Sequence, residues 1–217
     1  MRSYDEYCAV AKSLDVVGDR WTLLIVRELS ILGGCRYTDL RNGLPGIASN
    51  LLAERLRELE AAGVVSREEA PPPIASTLFR LTPRGEELRP VIDDLMRWGL
   101  QLMTSKSPKD AVRSHWLGGA LEALISDRRP EDAPVTLELQ TGDQPIVIGL
   151  RGEVGIVLGA TANPDATIAG PPMKVLGLIL GLLKLADAEA SGVTFQGDAA
   201  LLDRIGSEPM PAASSPP

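Results

Sequence analysis

Leu44-Pro45-Gly46-Ile47-Ala48-Ser49-Asn50-Leu51-Leu52-Ala53-Glu54-Arg55-Leu56-Arg57-Glu58-Leu59 decides the reading of the first half of this chain. Leu52, Leu56 and Leu59 recur at i, i+4 and i+7, the spacing that puts apolar side chains on one face of a helix. The pattern predicts a helix over 49–61, with Gly63 supplying the left-handed stop. Leu44 to Ile47 reads as a turn, and Thr38 to Asn42 before it as a short helix with Thr38 as its cap. Helix, turn and helix therefore follow in direct succession.

The pattern extends outward in both directions. Ala9 to Leu14 reads as a first helix. Asp19 can cap a second, in which Trp21, Leu24, Ile25 and Leu29 recur at helical spacing before Gly33-Gly34 ends it. On the other side, 64–67 and 78–81 are short strands joined by the loop Glu68-Glu69-Ala70-Pro71-Pro72-Pro73-Ile74-Ala75-Ser76, which makes them a hairpin. Thr82 then caps a last helix, with Pro83 at its first position and Leu88, Leu95 and Trp98 along it. Such an order places the second helix of the pair in a DNA major groove, with the hairpin as a wing against the neighbouring backbone.

The motifs in this half resemble the HxlR-type regulators of bacteria. Those carrying the resemblance are Tyr7-Cys8-Ala9-Val10-Ala11, Gly18-Asp19-Arg20-Trp21-Thr22-Leu23-Leu24-Ile25, Arg36-Tyr37-Thr38-Asp39-Leu40 and Leu44-Pro45-Gly46-Ile47. Leu51 to Leu59, Gly63-Val64-Val65 and Leu81-Thr82-Pro83-Arg84-Gly85 continue it in the same order over about residues 5–100. It implies a bacterial transcriptional regulator that binds double-stranded DNA as a homodimer on a palindromic operator, its first and last helices forming the dimer interface. The candidate DNA contacts are Arg36, Ser49, Asn50, Ala53, Arg55, Arg57 and Arg80. Ser49 and Asn50 open the helix, where they either cap it or meet base edges and phosphate. Asparagine suits adenine and arginine suits guanine. Arg55 either holds a phosphate or pairs with Glu58 or Glu54; Arg36 and Arg80 are backbone clamps or solvated arginines. In some relatives a cysteine at the position of Cys8 senses oxidants, which makes Cys8 a candidate redox residue, set against a buried packing role. Cys35 receives no role.

Charge qualifies this reading. The chain of 217 residues carries a formal −7, of which residues 1–104 contribute −2 with twelve arginines and one lysine. Phosphate binding wants positive charge, so any affinity depends on where the arginines stand. The wing brings two acids, Glu68 and Glu69, and no basic residue.

Composition separates a second region. A polar stretch over 104–110 reads as a linker between a domain at 1–103 and another at 111–207, and 208–217 is rich in Pro, Ser and Ala and expected to be disordered. Asp110 to Leu124 reads as a helix, Val135 to Leu139 as a half-buried strand, and 146–150 with 155–159 as a hairpin. A short strand at 166–169, an apolar helix from Met173 to Leu185, a strand at 193–196 and a final helix from the cap Asp198 through Ile205 complete the order. With Asn163-Pro164-Asp165-Ala166-Thr167-Ile168-Ala169-Gly170-Pro171 and Gly192-Val193-Thr194-Phe195-Gln196-Gly197-Asp198, this resembles the sterol-carrier-type lipid-transfer fold. The fold class is thus α+β: a winged helix-turn-helix followed by a sterol-carrier-like α+β domain with an antiparallel sheet. That resemblance implies an apolar cavity for an acyl or sterol-like ligand, with Ile146, Ile148, Leu176, Ile179, Leu180 and Leu183 as candidate lining. The apolar helix is otherwise core or a dimer contact.

Neither a catalytic nor a metal-binding constellation is apparent. His115 is the single histidine and reads as a surface or boundary residue; no Cys-x-x-Cys, Gly-x-Ser-x-Gly or phosphate-loop motif occurs. We expect no enzyme, no cofactor, no membrane partner and a cytoplasmic location. The competing reading is a lipid-binding or lipid-transfer protein whose winged helix serves protein contacts.

Overall fold

The computed structural model describes residues 3–71, 76–103, 107 and 109–207. The loop tip 72–75, part of the linker and the tail 208–217 lie outside the described residues. The chain divides into two compact units between Gly99 and Leu100.

Unit one runs α1 (Ala9–Val17), α2 (Thr22–Leu32), β1 (Cys35–Arg36), α3 (Tyr37–Gly43), α4 (Ser49–Ala61), β2 (Val65–Ala70), β3 (Ser76–Leu81), α5 (Pro83–Glu86) and α6 (Arg89–Gly99). The expected stripe of α4, Leu52, Leu56 and Leu59, is buried against Ile25, Val26 and Leu29 of α2 and Leu40 of α3. Glu28 is buried as well. Its carboxylate accepts from the Arg27 guanidinium and lies so close to Gly43 that a Cβ there would collide with it. A glycine is needed at Gly43 for close approach of α3 to α2, not for its φ.

Three local expectations change. Thr38 lies inside α3; Arg36 is the N-cap residue, and its N–H donates to the Asp39 carboxylate at 2.9 Å. The start shifts because Cys35 and Arg36 are drawn into the wing sheet, pairing with Phe79 and Leu78. Cys35 is therefore a buried strand residue in an antiparallel sheet ordered β1-β3-β2. Asp19 does not cap α2 with its side chain; Trp21 holds the cap position and the Asp19 carboxylate turns to Arg55. The last helix is broken into α5 and α6, because Pro90 has no N–H to give to Glu86 and so sits in the first turn of a new helix. Thr82 caps α5 as expected, its Oγ1 accepting from the Gly85 N–H at 3.1 Å.

Unit two runs α7 (Ser114–Leu124), β4 (Ile125–Asp127), β5 (Val135–Gln140), β6 (Ile146–Leu150), β7 (Val154–Leu158), β8 (Ala166–Ala169), α8 (Pro172–Ile179), α9 (Leu185–Ala190), β9 (Thr194–Gly197), a 3-10 turn (Ala199–Arg204) and β10 (Ile205–Ser207). The main sheet is ordered β7-β6-β5-β8-β9. It is not the antiparallel sheet expected: β8 lies parallel to β5, Leu137 opposite Ala166. Residues 159–165 carry the chain back across the sheet, and Glu138, on the non-core side of β5, takes the Thr161 N–H at 2.7 Å. Glu138 is buried by this crossing, so β5 is covered on both faces rather than half-buried.

The expected apolar helix to Leu185 stops at Ile179. Gly181 adopts φ +69°, and the Leu182 and Leu183 amides turn back to the Gly177 carbonyl. Leu183 then packs on Gly177, the hydrophobic contact that accompanies a glycine stop. Asp198 does cap the 3-10 turn, through the Ala200 N–H at 2.9 Å, but Ile205 begins β10 instead of extending a helix. α7 begins at Ser114, later than Asp110, where the Asp143 carboxylate accepts the Ser114 N–H. His115 is buried, not at the surface, and meets Trp116 edge-on. Among the described residues no helix is long and apolar enough to cross a membrane.

Candidate nucleic-acid interface

With its leucine stripe inward, α4 leaves Ser49, Asn50, Glu54 and Arg57 exposed. Its first turn is held against α3 by the Tyr37 hydroxyl, which donates to the Ser49 carbonyl at 2.6 Å. Ala48 occupies the N-cap position and provides no side-chain hydrogen bond. Capping therefore does not use the side chains of Ser49 and Asn50, and the first amides of the helix are left for a ligand or water. Arg57 projects from the same face, its Nε donating to the Ala53 carbonyl at 3.2 Å. Ala53 is half-buried beside them.

The arginines around the helix differ in availability. Arg55 is largely buried and its guanidinium meets both Asp19 and Glu58, with Glu54 at 3.7 Å. Of its two readings, the carboxylate pairing is the one the geometry realises. It ties α4 to the α1–α2 turn, 36 residues away in sequence. A cleft of about 690 Å³ opens beside this knot, lined by Tyr4, Leu14, Asp15, Asp19, Glu54 and Glu58 among others. Arg80 is half-exposed on β3, 3.7 Å from Glu68, and its guanidinium rests on Gly34 at the end of α2. Arg36 is exposed at the start of α3. On the wing, Glu69 takes the Thr77 hydroxyl at 2.5 Å, so one of its two acids is occupied within the hairpin.

Two groups of residues fall outside this surface. Cys8 is exposed at the N-cap of α1, and the first-turn amides of Ala11 and Val10 hold its thiol below the ordinary pKa. Burial, followed by the charges of Asp39 and Glu28, pushes the Cys35 thiol up to about 12. Because the thiolate is the reactive form, iodoacetamide at neutral pH is expected to modify Cys8 at least ~100-fold faster than Cys35. Peptide mapping after timed quenching measures the ratio; equal labelling would contradict the burial of β1. In unit two, Ile146 and Ile148 have no accessible surface and Leu176, Ile179 and Leu180 almost none, with Leu183 half-buried. Five of the six thus belong to the buried core of unit two, and Leu183 does not.

Sequence reasoning did not find the Asp19–Arg55 contact or the burial of Glu28. The contact joins distant segments, and in the sequence Glu28 resembles any other solvated acid on a helix. Glu54 stood in plain view on the outer face.

The chain is similar in sequence to known helix-turn-helix regulators. The model of the HxlR-like helix-turn-helix matches residues 16–107. The chain is 33% identical over 90 residues to the uncharacterized HTH-type transcriptional regulator YvaP of Bacillus subtilis, covering 42% of this chain and 82% of YvaP. YybR of the same organism, also an uncharacterized HTH-type transcriptional regulator, is 32% identical over 127 residues, 57% of this chain and 90% of its own length. Among solved structures, the reduced form of the transcriptional regulator YodB from B. subtilis aligns with a TM-score of 0.40 at 29% identity, covering 47% of this chain and all of YodB. A leucine-striped α4 held to α3 beside a three-strand wing, with relatives matched over most of their length, leads to one assignment: the chain belongs to the HxlR-like helix-turn-helix family.

Proposed function

We propose that this protein is a DNA-binding transcriptional regulator that acts in the cytoplasm as a homodimer on a palindromic operator, by binding and not by catalysis. The observation that carries the proposal is the outer face of α4: an uncapped helix start bearing exposed Ser49 and Asn50, with exposed Arg57 two turns on. Such a helix offers amides to phosphate and side chains to base edges in the major groove. Arg36 and Arg80 flank it as backbone contacts. Arg55 leaves the proposed set, because its guanidinium is already satisfied by carboxylates. Dimerisation is supported by apolar faces on α1 and α6, where Val10, Leu14, Val91, Leu95 and Trp98 are exposed in the single chain.

Unit two is the modulatory half in this reading. Its order of helix, three-strand meander, crossover strand, apolar helix and strand supports the sterol-carrier resemblance. An acyl or sterol-like ligand would have to open space between sheet and α8, because Ile146 and Ile148 are packed. It would act on DNA binding only through a difference in affinity between the free and DNA-bound dimer.

The test is retardation of DNA from upstream of the protein's own gene, in rising salt, with and without a lipid extract. Specific, salt-sensitive binding is expected. Asn50→Ala and Arg57→Ala should each weaken it by about 1–3 kcal/mol, with thermal melting unchanged because both side chains are exposed. Undiminished binding by both variants would remove α4 from the interface. Binding that is indifferent to the extract would remove the ligand from the proposal.

A further inference from the structure

The outer face of α4 holds a residue that phosphate attraction does not explain. At 100° per residue, Asn50, Glu54 and Arg57 fall within an arc of about 60° opposite the buried leucines. Along the helix axis Glu54 lies between Asn50 and Arg57, at one edge of that arc. Its side chain is 53% exposed, and its contact with the Arg55 guanidinium is at 3.7 Å, beyond a direct hydrogen bond. Arg55 is shared with Asp19 and Glu58, so its single charge only partly offsets the Glu54 carboxylate.

Resting on the DNA-binding reading above, we propose that Glu54 is a specificity-determining residue that requires an exocyclic amine, that of cytosine, beneath the centre of α4. An ionised carboxylate only accepts hydrogen bonds. Guanine and the oxygen of thymine present acceptors at the major-groove edge, so both repel it; adenine sets its N6 amine beside the N7 acceptor, whereas the cytosine N4 amine donates with no acceptor next to it on the same base. Arg57 lies one turn further along the same face and suits the O6 and N7 acceptors of guanine. The acid and the base together match a cytosine–guanine pair, or two neighbouring pairs, with the donor pattern reversed between strands. Over guanine or thymine the carboxylate faces acceptors and phosphates. Glu54 thereby weakens non-specific binding, which raises the ratio of specific to non-specific affinity.

The experiment is selection of randomised duplexes by the full-length protein, followed by sequencing, for wild type, Glu54→Gln and Glu54→Ala. The wild type is expected to enrich a motif with a fixed cytosine in each half-site. Glu54→Ala should lose that preference by about tenfold at that position alone. Its binding to random DNA should tighten, because a negative charge has been removed. Glu54→Gln keeps an acceptor but adds an amide donor, so it should admit bases other than cytosine. A Glu54→Ala protein that keeps the cytosine preference overturns the proposal while leaving DNA binding intact. So does one that melts like wild type yet no longer binds. A wild-type protein that enriches no motif overturns the DNA-binding reading itself and this proposal with it.

Discussion

Replacing Asp127 by alanine is expected to destabilise unit two by about 3–5 kcal/mol, the cost of removing one partner from a buried ion pair. Arg204 and Asp127 are both buried and meet in a two-pronged pair, Nε to Oδ1 at 2.8 Å and Nη2 to Oδ2 at 2.7 Å. The same carboxylate accepts the Arg129 and Gly152 amides, and the guanidinium also donates to the Ala133 carbonyl at 2.6 Å. One pair thus joins β4, the loop before β5, the β6–β7 turn and the end of the 3-10 turn before β10. Without the carboxylate, a guanidinium stays buried beside carbonyls alone and two amides lose their acceptor. Urea denaturation followed by circular dichroism measures the loss; a shift below about 1 kcal/mol would mean the pair is dispensable.

The pair also sets a pH dependence. The hydrogen bonds from Arg204 first, and then those from the Arg129 and Gly152 amides, hold the Asp127 pKa down at about 2 against burial, which acts the other way. A folded-state pKa below the unfolded one stabilises the fold above the unfolded value of about 4. That stability is lost as pH falls from about 4 towards 2, and the Asp127→Ala protein should lack this part of the acid transition.

The second large effect is expected at the dimer face. Leu95→Asp places a charge where α6 exposes Val91, Leu95 and Trp98 on one side. In the proposed dimer that face meets its counterpart, and two buried carboxylates facing each other would not be tolerated. The variant should elute as a monomer in size-exclusion chromatography with light scattering. Its operator affinity should fall by about 10²–10⁴, the gain that two linked half-site contacts provide. Leu95 is 44% exposed, so the melting temperature of the isolated subunit should change little. A variant with the dimer's mass and unchanged affinity would place the interface elsewhere.

The helices of unit one were legible because their signals are local. Leucines at i, i+4 and i+7 bury one side of 49–61 whatever surrounds them, and Thr82 satisfies an amide three residues away. The Asp198 cap is local in the same way. The early stop of α8 was missed: Gly181 is the residue that ends it, but the leucines on both sides of that glycine read as one apolar helix. The nominated ligand-lining residues were ambiguous in principle: an apolar helix has the same composition whether it packs on a sheet or on a ligand.

The leucine-striped helix 49–61 and its turn needed nothing beyond neighbouring residues, whose spacing and caps act within a turn or two. The order of side chains on its open face was likewise readable. Which of its arginines remain available was not, because Arg55 is claimed by Asp19 only when the α1–α2 turn is brought to it. The parallel pairing of β8 with β5 and the clamp of Arg204 on Asp127 are of the same kind. Each joins segments far apart along the chain, and their energies exist only once burial has brought those segments together and excluded water. Short-range pattern therefore made the elements, and long-range packing decided which charges the protein keeps for itself and which it leaves facing outward.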